Sequence, residues 1–197
     1  EFRRVLFRSV TDQHPAAIAA WREIENWIDA VRAKQTLNRS RIGFLGHTYP
    51  GMMDMYSDFT QHTAFLGTHI EVLEMEDVQV RVDAVENDEI DAVQRATESL
   101  FEISQDSDVD PLAKRPTEDE MRWACRVDAG MDRVVADFDL QGLTYYYRGW
   151  EDNEFGRLGS SLILGCSLLT ARGIPCSGEG DLKNCMAMKV MDAFGAG

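Results

Sequence analysis

The sequence predicts an α/β fold, a Rossmann-like alternation of strands and helices with a mostly parallel sheet flanked by helices. Three observations carry this. Short apolar runs end at glycine or at polar turns, as in Arg41-Ile42-Gly43-Phe44-Leu45-Gly46. Between them lie longer stretches with apolar residues at helical spacing. Sequential strands joined through a helix make a βαβ unit, whose crossover is right-handed.

The elements follow in order. Residues 15–33 read as a helix, with Ile18, Trp21, Ile24, Ile28 and Val31 on one stripe and Pro15 in a position suited to a first turn. The strand at 41–46 follows. After the loop His47-Thr48-Tyr49-Pro50-Gly51 a helix is expected over 52–66, and then a strand over 69–75, His-Ile-Glu-Val-Leu-Glu-Met. Residues 87–103 read as a helix and 104–116 as an acidic, proline-containing loop. Thr117 with Glu120 three residues on forms a capping box, starting a helix that runs to about Asp137. Leu143-Thr144-Tyr145-Tyr146-Tyr147 is a strand. A helix rich in small residues spans 159–171, with Gly173 just past its end. The last helix is expected from about Leu182 to Ala193, capped by Asp181.

Composition excludes some classes. The chain has 197 residues, 44% of them hydrophobic, which suits about one globular domain. Its formal net charge is -14, which argues against nucleic acid and against anionic membranes as partners. No apolar run is long enough to span a bilayer. The four cysteines, Cys125, Cys166, Cys176 and Cys185, fit neither a zinc ribbon nor a disulfide framework. Their apolar contexts suggest reduced thiols in a cytoplasmic protein. Cys176, close to the carboxylate discussed next, is also a candidate reactive thiol.

Residues 1–9, Glu-Phe-Arg-Arg-Val-Leu-Phe-Arg-Ser, resemble the translation of a common short-read sequencing adapter and are set aside as a non-native leader. The expected domain is then 10–197, an internal piece of a longer protein.

The stretch with the most chemical content is Cys176-Ser177-Gly178-Glu179-Gly180-Asp181-Leu182-Lys183. A carboxylate between two glycines, after an extended segment and before a helix, lies where α/β proteins present side chains to ligands. Asp181 has a capping role. Glu179 has no structural role of that kind; its alternatives are a solvated turn residue or a ligand-binding carboxylate. His47 could bind a ligand's hydroxyls or a metal, or be a satisfied loop residue. Gly46 with Gly51 lacks the spacing of a dinucleotide loop. The acids Glu71, Glu74, Glu76 and Asp77 read as a solvated edge and not as a cation site.

Gly178-Glu179-Gly180-Asp181, followed by Leu182-Lys183 and the helix Cys185-Met186-Ala187-Met188-Lys189-Val190-Met191, resembles the metal-ligand segment of the L-arabinose isomerases and their L-fucose isomerase-like relatives. Residues 27–46 resemble the helix and strand that lead into that family's middle domain. Residues 142–173 resemble the strand, Glu-Asp pair and helix before the metal loop. The resemblance covers most of the chain, with little of it in 78–120, and its specific part is the GEGD segment.

The resemblance implies an aldose–ketose isomerase acting on a small sugar such as L-arabinose, L-fucose or D-galactose. It implies Glu179 as a metal ligand and proton-transfer group, with Mn²⁺ or another divalent ion as cofactor. The family's remaining ligands, a second glutamate and two histidines, are expected beyond Gly197. In the chemistry implied, an ion bound to both sugar oxygens polarises the carbonyl and stabilises an ene-diolate. Tyr49 falls near the position that lines the family's substrate pocket. Trp150 stands where a phenylalanine is expected at the sugar; packing is its alternative role. Because the family's sites lie between subunits, a homo-oligomer is expected at full length, with this piece alone inactive. Two other readings compete: a non-catalytic sugar-binding module, and a structural α/β domain in which Glu179 is only a turn residue.

Overall fold

A computed structural model describes residues 18–106, 108–110, 114–148 and 153–195 of the chain. It has eight α-helices among the described residues, α1 (Ile18–Arg39), α2 (Phe59–Leu66), α3 (Met75–Asp83), α4 (Asn87–Leu100), α5 (Glu118–Asp137), α6 (Glu154–Ser160), α7 (Leu162–Ala171) and α8 (Leu182–Ala193). Four strands, β1 (Arg41–Gly46), β2 (His69–Leu73), β3 (Gly142–Tyr146) and β4 (Cys176–Ser177), form one sheet in the order β2-β1-β3-β4. Every pairing is parallel, as the alternating pattern predicts.

The sheet is covered on both faces, and the period-2 alternation of β1 sorts the two sides. Ile42 joins Leu37 of α1 and Leu182, Cys185 and Met186 of α8. Phe44, on the same side, meets Phe59 of α2 edge-on at 4.8 Å between ring centroids. Leu45 points the other way, into the larger core with Leu73, Val78 and Val82, Val127 and Met131, Leu143, Leu162 and Leu169. That core holds α3, α5, α6 and α7 against the sheet, with α4 packed outside α5 over Ile90, Cys125 and Ala129.

Several boundaries differ from the sequence reading, each for a local reason. The first helix extends six residues past the expected end, to Arg39, because Leu37 continues its packing against α8. The expected 52–66 helix is a 3-10 turn at Met53–Met55 followed by α2. Asp58 causes the restart: its side chain accepts from the Gln61 N–H and caps α2. The second strand stops at Leu73, since Glu74 and Asp77 form a capping box that opens α3, a helix the sequence reading did not include. The expected 159–171 helix is two helices, broken at Ser161. The capping box at Thr117, the C′ glycine at Gly173 (φ 81°) and the cap at Asp181 are present as expected.

The stripe on α1 is largely exposed, with Ile18, Trp21, Ile28 and Val31 outside the core and Trp27 exposed beside them. The helix buries Ala33 and Leu37 instead. No helix among the described residues is long and apolar enough to cross a membrane. All four cysteines are free; Cys125 and Cys185 are buried, Cys166 and Cys176 partly so.

Candidate active site

The chain runs from β1 outward to β2, then returns across β1 to β3 and on to β4. The helix after β1 packs on one face and those after β3 on the other. The gap between the carboxyl ends of β1 and β3 is therefore the topological switch point, where open α/β sheets bind ligands. His47 and Tyr49 leave β1 there, Tyr146 ends β3, and Glu179 follows β4 on the same edge.

The loops after β1 and β4 are locked together. The Tyr49 N–H donates to the Glu179 carbonyl at 2.9 Å, and the Gly180 N–H donates to the Tyr145 carbonyl at 3.0 Å. Gly180 lies at φ 67°, and a Cβ there would stand 2.7 Å from the His47 carbonyl oxygen and 2.8 Å from Thr48 Cα. Only glycine fits this approach, which explains the second glycine of the segment. On the outer side, the Lys183 ammonium donates to the Asp54 carbonyl and, at 3.5 Å, to that of Tyr56, tying α8 to the 3-10 turn.

Glu179 is one of two non-glycine residues with positive φ among the described residues, at 62°. A side chain with a Cβ is disfavoured in this region, and such conformations persist where the surroundings enforce them. Its Oε2 is buried without a hydrogen-bond partner. The residue as a whole is half-buried, and Oε2 is its one oxygen shut off from water without a partner.

Aromatic rings flank the gap. Tyr146 takes His47 edge-on at 5.0 Å and Tyr49 edge-on at 4.9 Å between centroids. His47 is exposed, with Nδ1 at 2.9 Å from the Thr48 carbonyl oxygen. Beside it a cleft of about 470 Å³ opens, lined by Gly46, His47, Glu74, Met75, Glu76, Tyr147 and Phe155. Glu179 and Tyr49 lie outside that lining. Glu74 and Glu76 of the acidic run thus border the cleft, while Glu71 pairs with Arg41 and His69. The Tyr145 hydroxyl is pushed up to about 12, by burial first and then by Cys166, Cys176 and Glu179 nearby, so it stays a donor at neutral pH.

Of the residues singled out in the sequence, the structure brings Glu179, Tyr49 and His47 to one edge. Trp150 lies outside the described residues. Tyr146 joins the three at that edge, a residue whose sequence signal is its place in the Tyr145-Tyr146-Tyr147 run near the end of a strand. The neighbouring Cys176 thiol first, and burial second, hold the Cys166 thiol far above the ordinary range. The Cys176 thiol also donates to the Ile174 carbonyl at 3.5 Å.

Glu179 suits one position at a divalent ion, since its buried oxygen lacks any other partner. Among the described residues no group of three or more His, Cys, Asp or Glu side chains could hold a metal.

Residues 57–197 match the sequence model of the L-arabinose isomerase central domain. A comparison with curated proteins finds no match. The family match spans well over half of the chain, and the chain belongs to the L-arabinose isomerase central-domain family.

Proposed function

From this membership in a sugar isomerase family, we propose that the chain supplies Glu179 to the metal and substrate site of an L-arabinose or L-fucose type aldose–ketose isomerase. The observation that carries the reading is the Glu179 carboxylate, held at positive φ with one oxygen buried and unpartnered at the switch-point edge. Mn²⁺ or a similar ion, when bound, would polarise the sugar carbonyl and ease proton loss from the adjacent carbon. Glu179 would provide one ligand, and residues outside those described would provide the others.

The isomerisation moves a proton between C1 and C2 through an ene-diol. Glu179 is the group on this chain suited to hold that proton in transit, since a carboxylate within reach of the carbon can accept and return it. Tyr49 and Tyr146 offer ring faces and hydroxyls to the sugar, and His47 offers an imidazole to its hydroxyls. Trp150 would add a further aromatic face. The reading carries with it a homo-oligomer at full length and a cytoplasmic setting.

The test is Glu179→Gln in the sugar isomerase that contains this chain, assayed on L-arabinose, L-fucose and D-galactose with and without Mn²⁺. Metal-stimulated turnover should fall by roughly a hundredfold or more. Turnover equal to the parent's would overturn the assignment. The 197-residue chain alone should bind Mn²⁺ weakly and turn over no L-arabinose. The aromatic cluster at Tyr146 also suits a metal-independent sugar binder. Sugar-induced NMR shifts at Tyr49 and Tyr146 that persist in EDTA and in Glu179→Gln, with no turnover by the parent, would favour that second reading.

A further inference from the structure

In the helical layer on the α5 side of the sheet, α4, α5 and α7 line a cleft of about 440 Å³ that shares no residue with the Glu179 edge. Its walls are apolar, with Val93, Ala96 and Leu100 from α4 and Leu168 from α7. Asp128 of α5 lines it too, although the residue is only 2% exposed. Its Oδ1 is buried without a hydrogen-bond partner. The close approach of α7 at Gly165, where a Cβ would stand 3.4 Å from that oxygen, leaves α7 no side chain there to pair with it.

The charged groups around Asp128 do not neutralise it. Asp132, one turn on along α5, is paired with Arg172 through both guanidinium nitrogens. Arg172 is therefore committed at the rim and offsets Asp128 only at a distance. The other titratable neighbours are thiols, Cys125 on α5 and Cys166 on α7, and α4 presents only apolar residues to the cleft. A buried carboxylate without a cation is costly. The cleft thus sets a carboxylate with one unpartnered oxygen beside apolar walls, with the mutually paired Asp132 and Arg172 also in its lining.

We propose that this cleft is a binding site for an organic ammonium carrying a short alkyl chain, with the ammonium on Asp128 and the chain between α4 and α7. A hydrated inorganic cation would leave the apolar walls unused, and a neutral alkyl group would leave the carboxylate unpaired. Burial first, and Asp132 second, raise Asp128 to about 6, so binding of the cation depends on its ionisation. An ammonium keeps its charge throughout this range. Affinity should therefore rise about tenfold from about pH 5 to pH 8 as Asp128 ionises.

The experiment is calorimetric titration of the 197-residue chain with n-pentylammonium chloride, with 1-pentanol and sodium chloride as controls. Pentylammonium should bind at pH 8 and more weakly at pH 5. Asp128→Asn should lose at least about tenfold in affinity, because the ammonium loses its counter-charge. Ala96→Phe, at an exposed position on the cleft wall, should block the site while leaving Asp128 intact. Three results would each overturn the proposal: no heat with pentylammonium, equal binding of 1-pentanol, or unchanged affinity in folded Ala96→Phe. Asp128→Asn that binds as the parent does would also overturn it.

Discussion

Gly180→Ala tests the interlock of the two loops. The residue lies at φ 67°, where a Cβ costs about 1–2 kcal/mol. The new methyl would also stand 2.7 Å from the His47 carbonyl oxygen and 2.8 Å from Thr48 Cα, both backbone atoms that cannot rotate away. Relief requires the loops to separate by several tenths of an ångström. That strains the bonds from Tyr49 N to the Glu179 carbonyl, 2.9 Å, and from Gly180 N to the Tyr145 carbonyl, 3.0 Å. Losing most of both adds about 2 kcal/mol. Alanine reduces the freedom of the unfolded chain, which returns about 0.4–1 kcal/mol. The expected loss is about 2–3 kcal/mol, or roughly 4–12 °C in Tm for a chain of this size. Gly178→Ala, two residues earlier, is the control. Its Cβ would meet nothing within 4 Å, so its effect should stay within about 0.5 kcal/mol. Urea unfolding of the two variants beside the parent measures both values. A Gly180→Ala loss under about 1 kcal/mol, or equal losses for the two, would refute the close approach.

Further outcomes follow from the same structure. Asp128 is raised to about 6, above its unfolded value near 3.9, so the native state holds the proton more tightly and stability falls as pH rises between about 4 and 6. The ionised group then costs about 3 kcal/mol at pH 8, and Asp128→Asn should be more stable than the parent there by up to that amount and equal to it near pH 4; a flat difference between their stability curves would contradict this. Thr117→Ala removes the acceptor of the Glu120 N–H at the start of α5 and should cost about 1 kcal/mol in urea unfolding. Tyr146→Ala removes two edge-on ring contacts, each worth about 0.5–1.5 kcal/mol, and should lower stability by about 1–3 kcal/mol while exposing the loop of His47 to faster amide exchange.

Much of this architecture was legible because local signals and tertiary packing agree. The runs at 41–46 and 143–147 lie on strands, the second shifted by one residue to Gly142–Tyr146, because both faces of the sheet are covered, and Thr117 and Asp181 cap as their spacing implies. Disagreement came where polar residues serve as caps. Glu74 and Asp77 read as surface charge, yet together they end β2 and start α3. Asp58 likewise divides a stretch whose composition suggests continuous helix. The α1 stripe has perfect helical spacing, but periodicity does not say which partner covers a face, and here the buried contacts fall on Ala33 and Leu37. At the candidate site the glycines around Glu179 marked the place. The segment around Glu179 is held by residues 47–49, through the Tyr49 N–H on the Glu179 carbonyl and the close approach of Gly180, some 130 positions away and so outside any local pattern.

The strand order also sets when the site can exist during folding. Pairing β1 with β2 closes a short span, from Leu45 to Leu73 at most, and can form early. Pairing β1 with β3 brings Ile42 to Gly142 and needs a much longer loop to close, which is slower because its entropy is lost before contacts accumulate. The contacts between Tyr49 and Glu179 need that pairing and the short β3–β4 ladder besides. By this contact order the Glu179 edge is among the last parts of the chain to assemble. A folding intermediate with β1, α2 and β2 in place would hold His47 and Tyr49 while Glu179 remained unplaced, so the carboxylate meets its aromatic neighbours only in the finished fold.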